Sequence, residues 1–230
     1  MKAQQPEVLY EDNHLLILNK PSGWLVQGDE TGDRTLTDWA RDYIKQKYKK
    51  PGDVFLHPAH RLDRPVSGIV IFAWTSKALE RMNALFREDK VEKTYLAIVK
   101  ERVEITHEIL IHWLEKDEKK NLTHAYSQPK GKAKKAELAY ELMASLNRFS
   151  LLKVTPKTGR PHQIRVQLAK IGCPIQGDVK YGYSQPNTDK SISLHAYGIS
   201  FIHPVKKEPL NIKCIPNWPD FKPHIHELDR

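Results

Sequence analysis

The residues with the clearest chemical potential sit together in His60-Arg61-Leu62-Asp63-Arg64-Pro65-Val66-Ser67-Gly68. A single carboxylate, Asp63, stands between two arginines, and the proline and glycine make this a structured loop rather than a helix or strand. Cationic neighbours hold such a carboxylate ionised, which suits a nucleophile or general base. The same composition also fits an ordinary surface loop with a local ion pair. A protein-kinase catalytic loop is excluded, because it needs His-Arg-Asp in direct succession with a downstream Asn. Here Leu62 intervenes, and no glycine-rich nucleotide loop precedes it. Metal chemistry is not expected: His57 with His60, and His224 with His226, lack a third ligand at a metal-like interval.

Charge points to a partner for this loop. The 230 residues hold 37 Lys+Arg against 28 Asp+Glu, a surplus of +9. That surplus is local, since residues 119–177 carry twelve Lys and Arg but only Glu137 and Glu141 as acids. The rest of the chain is close to neutral. The first part of this window, Lys119 to Ala136, reads as a flexible loop or extended arm carrying six lysines. Such a basic stretch fits a polyanion, most often nucleic acid. Cys173 and Cys214 make no disulfide framework, no apolar run reaches the length of a membrane span, and the N-terminus lacks an apolar signal region. A cytoplasmic protein with no membrane association is the expectation.

The elements that must hold these residues follow from periodicity. Val8–Tyr10 and Leu15–Leu18 read as a hairpin around an Asp-Asn turn, with Asn19-Lys20-Pro21-Ser22-Gly23 as loop. Thr35 to Tyr48 is expected to be a helix, with Thr35 and Asp38 forming a capping box. A strand over Ile69–Ala73 leads into a helix over Ser76–Glu88 that places Leu79, Met82, Leu85 and Phe86 on one side. From Lys93 the period becomes two, and further strands are expected near residues 108–113, 138–143, 149–155, 193–196, 199–202 and 210–215. Pro161 to Ile171 is a short helix with proline in its first turn and Gly172 as its stop. Many strands, few helices and no regular alternation make the fold α+β, with a mixed, mostly antiparallel sheet.

The loop resembles the signature of the RluA-type RNA pseudouridine synthases, and further motifs follow in that family's order. Asn19-Lys20-Pro21-Ser22-Gly23 resembles the first motif, Lys93-Thr94-Tyr95-Leu96-Ala97 the second, and Lys157-Thr158-Gly159-Arg160-Pro161-His162-Gln163-Ile164-Arg165 the third. Gly177-Asp178, Lys180-Tyr181-Gly182 and Leu194-His195-Ala196 match later landmarks. Together they span roughly residues 8 to 215. The resemblance implies the pseudouridine synthase fold with an active-site cleft, no metal and no organic cofactor. It also implies one catalytic domain over residues 1–230, with no S4-like RNA-binding domain ahead of it. Asp63 is the implied catalytic aspartate, Tyr95 stacks on the uracil, Arg165 pairs with Asp63, and Arg61 enters the RNA stack as the base leaves.

These roles suit the residue types. Pseudouridine formation breaks a C–N glycosidic bond, turns the uracil and rejoins it through carbon. An ionised carboxylate can add to the sugar or the base, or stabilise a cationic or glycal-like intermediate. The arginine fork holds a carboxylate in one geometry, and a tyrosine gives a flat face and a hydroxyl. A base inside structured RNA must be flipped out before reaction. Affinity then falls to phosphate contacts, for which Arg61, Arg64, Lys130, Lys132, Lys134, Lys135, Lys157, Arg160 and His162 are the candidates. Lys20 and Lys180 are expected to serve packing or phosphate contact. The implied substrate is structured RNA, large-subunit ribosomal or transfer RNA, and the implied state a monomer. Two alternatives stand beside it: a catalytically silent RNA-binding protein on the same fold, and a nuclease or glycosidase. The second would need a partner acid or a metal, and no second acid lies in the neighbouring motifs.

Overall fold

The computed structural model describes residues 4–100 and 103–226. The fold is α+β, a mixed, mostly antiparallel sheet with flanking helices. The chain gathers into two compact units, Met1–Glu92 with Ala196–Cys214 and Lys93–His195 with Ile215–Arg230.

The first unit starts with the hairpin of β1 (Glu7–Glu11) and β2 (Leu15–Lys20). Asp12 makes the turn, its Oδ1 accepting from the backbone N–H groups of His14 and Leu15 at 2.8 Å each. Helix α1 (Leu36–Lys47) begins with the capping box read from the sequence. Thr35 Oγ1 accepts from Asp38 N at 3.1 Å, and Asp38 Oδ2 accepts from Thr35 N at 3.0 Å. After the short β3 (His57–Pro58), strand β4 (Ser67–Ala73) pairs antiparallel with β2. Helix α2 (Ser76–Arg87) then buries Ala78 and Met82 against Leu15, Ile17, Ile69 and Ile71, with Leu79, Leu85 and Phe86 packed alongside. The β2–β4 register corrects one expectation. Asn19 and Lys20 are not loop residues but the last rungs of β2, opposite Ile69 and Gly68. Pro21, which has no N–H to donate, ends the strand two residues later than apolar periodicity alone indicates.

The second unit is built on β5 (Glu92–Lys100), β6 (His107–Asp117), β7 (Leu122–Tyr126), β8 (Lys134–Leu146) and β9 (Phe149–Pro156), in the order β5-β9-β8-β6-β7. One face of this sheet buries Leu110, Leu114, Leu138, Tyr140 and Val154. Helix α3 (Gln163–Lys170) covers it, packing Val166 on Leu114 and Ala136. The helix starts later than its composition suggests. His162 is its cap, in the left-handed region at φ 54°, so Pro161 lies ahead of the first turn. Its end matches the expectation: Gly172 N donates to Ala169 O and Cys173 N to Leu168 O, both at 3.0 Å, a Schellman closure. The lysine-rich stretch is also more ordered than expected. β7 crosses it and β8 begins at Lys134, so Lys119 and Lys120 sit at the tip of the β6–β7 hairpin, Lys130 and Lys132 in the β7–β8 connection, and Lys134 and Lys135 at the start of β8. Leu122–Tyr126 carries no apolar alternation that would reveal the strand, since its buried residue is the polar Thr123.

The chain re-enters the first unit along β10 (Leu194–Ile202), which neighbours β4 and pairs with β11 (Pro209–Lys213). Gly68, the last residue of the signature loop, lies close against β10. Gly68 has φ +111°, and a Cβ placed there would lie 2.6 Å from the backbone nitrogen of Ala196 and closer still to its oxygen. Both the dihedral and the space demand glycine. Gly68→Ala is therefore expected to destabilise the protein by about 3 kcal/mol or more, read as a lowered urea midpoint, because strain and overlap fall on two backbone segments that cannot rotate away.

Candidate active site

Asp63 is half-buried in a loop whose two ends are held by the sheet. At the near end, Ala59 N donates to Ile71 O at 2.8 Å, and the next ladder position is taken by a side chain: Ile71 N donates to His60 Nε2 at 3.2 Å. The imidazole thus satisfies the strand while the backbone leaves it. At the far end lies Gly68. Between them a turn closes from Val66 N to Asp63 O at 3.0 Å, so the carboxylate projects from a fixed backbone.

Beneath this turn runs a cation that sequence reasoning left without a definite role. Lys20 is fully buried, and its Nζ donates to Pro21 O at 3.2 Å, Trp24 O at 2.9 Å and Arg64 O at 3.2 Å. Three carbonyls meet the three N–H groups of the ammonium form. Burial pushes its pKa down to about 7, opposed by the Asp63 carboxylate and assisted by Arg64. Lys20 is thus the tether between the first motif and the signature loop rather than a phosphate contact. The β2–β4 register explains this, since Lys20 lies opposite Gly68 where the loop rejoins the sheet. Gly23 adds a second tether, donating its N–H to Arg64 O at 2.8 Å and accepting from Arg64 Nε at 3.1 Å.

In the second unit, Tyr95 is a half-buried residue of β5, opposite Val154 on β9. Arg165 lies in the first turn of α3 and is only 5% exposed. Its guanidinium grips Asp178 with two parallel bonds, Nε to Oδ2 at 2.7 Å and Nη2 to Oδ1 at 2.9 Å. Asp178 is buried too, so the pair is a desolvated fork-to-fork contact. Asp178 is the first acid beyond the basic window, and its place in a motif with Gly177 was the only signal of its importance. Beside it stands Tyr181, whose hydroxyl lies 2.6 Å from His162 Nδ1.

The remaining candidates divide into anchored and solvent-facing groups. Arg64 is exposed, yet besides Gly23 it binds Asp33 Oδ2 at 2.7 Å, which makes it a brace of the loop. Arg61, Lys132, Lys134 and Lys157 are exposed. Lys130 lies over the Tyr126 ring at 4.5 Å, and Lys135 is 3.3 Å from Glu137. Arg160 Nε donates to Lys135 O at 3.2 Å, bringing the third motif to the start of β8. Lys180, exposed, donates to Asn121 O at 2.9 Å, at the tip of the β6–β7 hairpin.

A family model for RNA pseudouridylate synthases matches residues 14–170, two thirds of the chain and the span that holds Asp63, Tyr95 and Arg165. The chain belongs to the RluA-type RNA pseudouridine synthases. It is 31% identical to the tRNA pseudouridine synthase C of Vibrio parahaemolyticus, over 93% of this chain and 92% of that one. It is 33% identical to the dual-specificity RNA pseudouridine synthase RluA of Haemophilus influenzae, over 90% of this chain and 92% of that one. Among solved structures, human RNA pseudouridylate synthase domain containing 4 aligns with a TM-score of 0.76 at 25% identity, over 96% of this chain and 92% of that one.

In this pseudouridine synthase the buried Lys20 has a thermodynamic signature. Its folded pKa of about 7 lies below the ordinary 10.5, so between those values the unfolded chain binds the proton more tightly. Stability from this group therefore rises with pH across that window and is flat below it. Lys20→Met should abolish that rise in urea titrations between pH 7 and 10.5. It should also cost about 1–3 kcal/mol at neutral pH, because the carbonyls of Pro21 and Trp24 lose the Lys20 donor while Arg64 O keeps only Gly23 N.

Proposed function

We propose that this protein isomerises specific uridines to pseudouridine in structured RNA, ribosomal or transfer, in the cytoplasm. Asp63 is the nucleophile in this reading. The observation that carries it is the family model that matches residues 14–170, a span that includes Asp63, Tyr95 and Arg165. Supporting it, the carboxylate is mounted on a loop tethered at Lys20, Gly23 and His60, which suits a group that must hold one geometry through bond breaking and rejoining. Tyr95 stacks on the uracil, and Arg165 supplies the fixed positive charge that the carboxylate needs. Arg61, exposed two residues before Asp63, fills the gap in the RNA stack.

The phosphate track runs over Lys130, Lys132, Lys134, Lys135, Lys157 and Arg160, all exposed. No metal or organic cofactor is required, and the protein acts as a monomer. A silent RNA-binding role would leave the buried Arg165–Asp178 pair without a purpose beyond stability.

A pseudouridine map of ribosomal and transfer RNA, by carbodiimide modification and primer extension, tests the reading. Cells lacking the gene should lose one or a few marks, and an unchanged map would sink the activity. Asp63→Asn should reduce turnover at least about 1000-fold while RNA affinity stays within about threefold, as expected for a group acting only in the chemical step. Neutralising Lys130, Lys132, Lys134 and Lys135 together should weaken binding and reduce the slope of log K against log salt by about 3 if all four meet phosphate. An unchanged slope would place the β7–β8 connection off the RNA path.

A further inference from the structure

Outside residues 119–177 the chain is near neutral in sum, yet one short stretch of the first unit is not. From Lys45 to Lys50 it reads Lys-Gln-Lys-Tyr-Lys-Lys, and no acid follows before Asp53. These residues form the end of α1 and the exit from it, and all four lysines are exposed. The neighbouring acids already have partners: Asp42 pairs with Arg34 at 2.6 Å, and Glu11, on β1, with Lys47 at 2.7 Å. A helix C-terminus favours one or two cations, so charge alone would signify little. The rings beside it add a second feature. Lys47 Nζ lies 5.3 Å from the Tyr43 ring centroid and 5.7 Å from that of Tyr48. Tyr48 meets Trp74 edge to face at 5.3 Å, and Lys50 Nζ lies 5.5 Å over the Trp74 ring. Rings and ammonium groups thus alternate in one continuous strip. Tyr43 and Tyr48 donate their hydroxyls to Glu11 at 2.8 and 2.6 Å. Tyr48 is nevertheless 45% exposed, more surface than a hydroxyl oxygen has, so part of its ring faces solvent.

We propose that this strip is a second RNA-binding surface, taking an unpaired segment that flanks the target uridine. One base stacks on Tyr48, and the phosphates on either side of it meet Lys45, Lys49 and Lys50. Unpaired RNA is the polyanion that calls for both features at once. Its bases offer flat faces that a duplex keeps stacked inside, and its backbone supplies the negative charge. The place of the strip in the first unit suits a flanking segment rather than the target. Tyr48 leans on Trp74, which follows the last residue of β4, whereas the Asp63 loop rejoins β4 at Gly68. At the usual rise of a strand those two ends are about 20 Å apart. A base held on Tyr48 therefore adds affinity and takes no part in breaking or rejoining the glycosidic bond.

This surface deepens the proposed action on RNA, and the experiment keeps the two apart. Wild type, Tyr48→Leu, Tyr48→Phe and the Lys45→Gln/Lys49→Gln/Lys50→Gln triple variant are titrated with single-stranded oligouridine and with an RNA duplex of the same length. Thermal unfolding confirms that each variant is folded. Tyr48→Leu should weaken oligouridine binding about tenfold and Tyr48→Phe less than about threefold. Both lose the bond to Glu11, so the difference between them reports the ring. Duplex binding by Tyr48→Leu should stay within about twofold, because paired bases are not open to stacking. The triple variant should reduce the slope of log K against log salt for oligouridine by about 2, as expected for three phosphates of a single strand. Oligonucleotide carrying 5-bromouridine should crosslink under ultraviolet light to Tyr48 or Trp74, located by mass spectrometry. Equal losses for Leu and Phe, an equal loss on duplex, an unchanged slope or no crosslink at either ring would each overturn the proposal. These readouts need no turnover. A wild type that shows them yet forms no pseudouridine would remove the enzymatic reading and leave the surface standing. An active wild type whose oligouridine affinity is the same with Tyr48→Leu would remove the surface alone.

Discussion

A guanidinium excluded from water must have its charge balanced where it sits, and in this protein Asp178 does that for Arg165. Both side chains are nearly inaccessible, and the two bonds between them are short and parallel. Removing the carboxylate alone would strand a buried charge, a change that costs about 3–5 kcal/mol in comparable pairs. The pair joins the first turn of α3 to the 3-10 turn at Val179–Tyr181, and the neighbouring Val166 and Tyr181 pack with Leu114 and Ala136. It also changes how the charge of the chain is counted. Arg165 belongs to the basic window by sequence, yet its charge is offset by the acid that follows that window. The cations that residues 119–135 and the third motif leave exposed are their lysines and Arg160.

The first unit meets the same constraint in another way. Lys20 is as deeply buried, but its donors are met by three backbone carbonyls rather than by a carboxylate. One of those carbonyls belongs to Arg64, the residue after Asp63. A salt bridge would have fixed one side chain, whereas carbonyl contacts fix the path of the backbone. Its ammonium group also lies where the Asp63 carboxylate feels it.

Much of this was legible in the sequence because the relevant signals are local. The capping box at Thr35, the apolar side of α2 and the Gly172 stop are patterns within a few residues, and each appears in the structure. The family motifs are likewise contiguous, so Asp63, Tyr95 and Arg165 stand out before any coordinates. What escaped was decided by register and by distant pairing. Nothing near Lys20 in sequence indicates that it lies opposite Gly68, and nothing near Arg165 indicates Asp178, thirteen residues later. The hairpin strand β7 was hidden for a different reason. Lysines surround it on both sides, and its one buried side chain, Thr123, is polar, so no apolar alternation marks it.

The central claim is that this chain performs the isomerisation and does more than bind RNA. Rejoining uracil through its carbon displaces the hydrogen on that carbon, so RNA carrying tritium at uridine C5 reports the reaction directly. Purified protein incubated with such ribosomal and transfer RNA should release tritium to water up to a whole number of equivalents per RNA, with the RNA chain left uncut. RNA that is bound tightly but keeps all of its tritium would contradict the account.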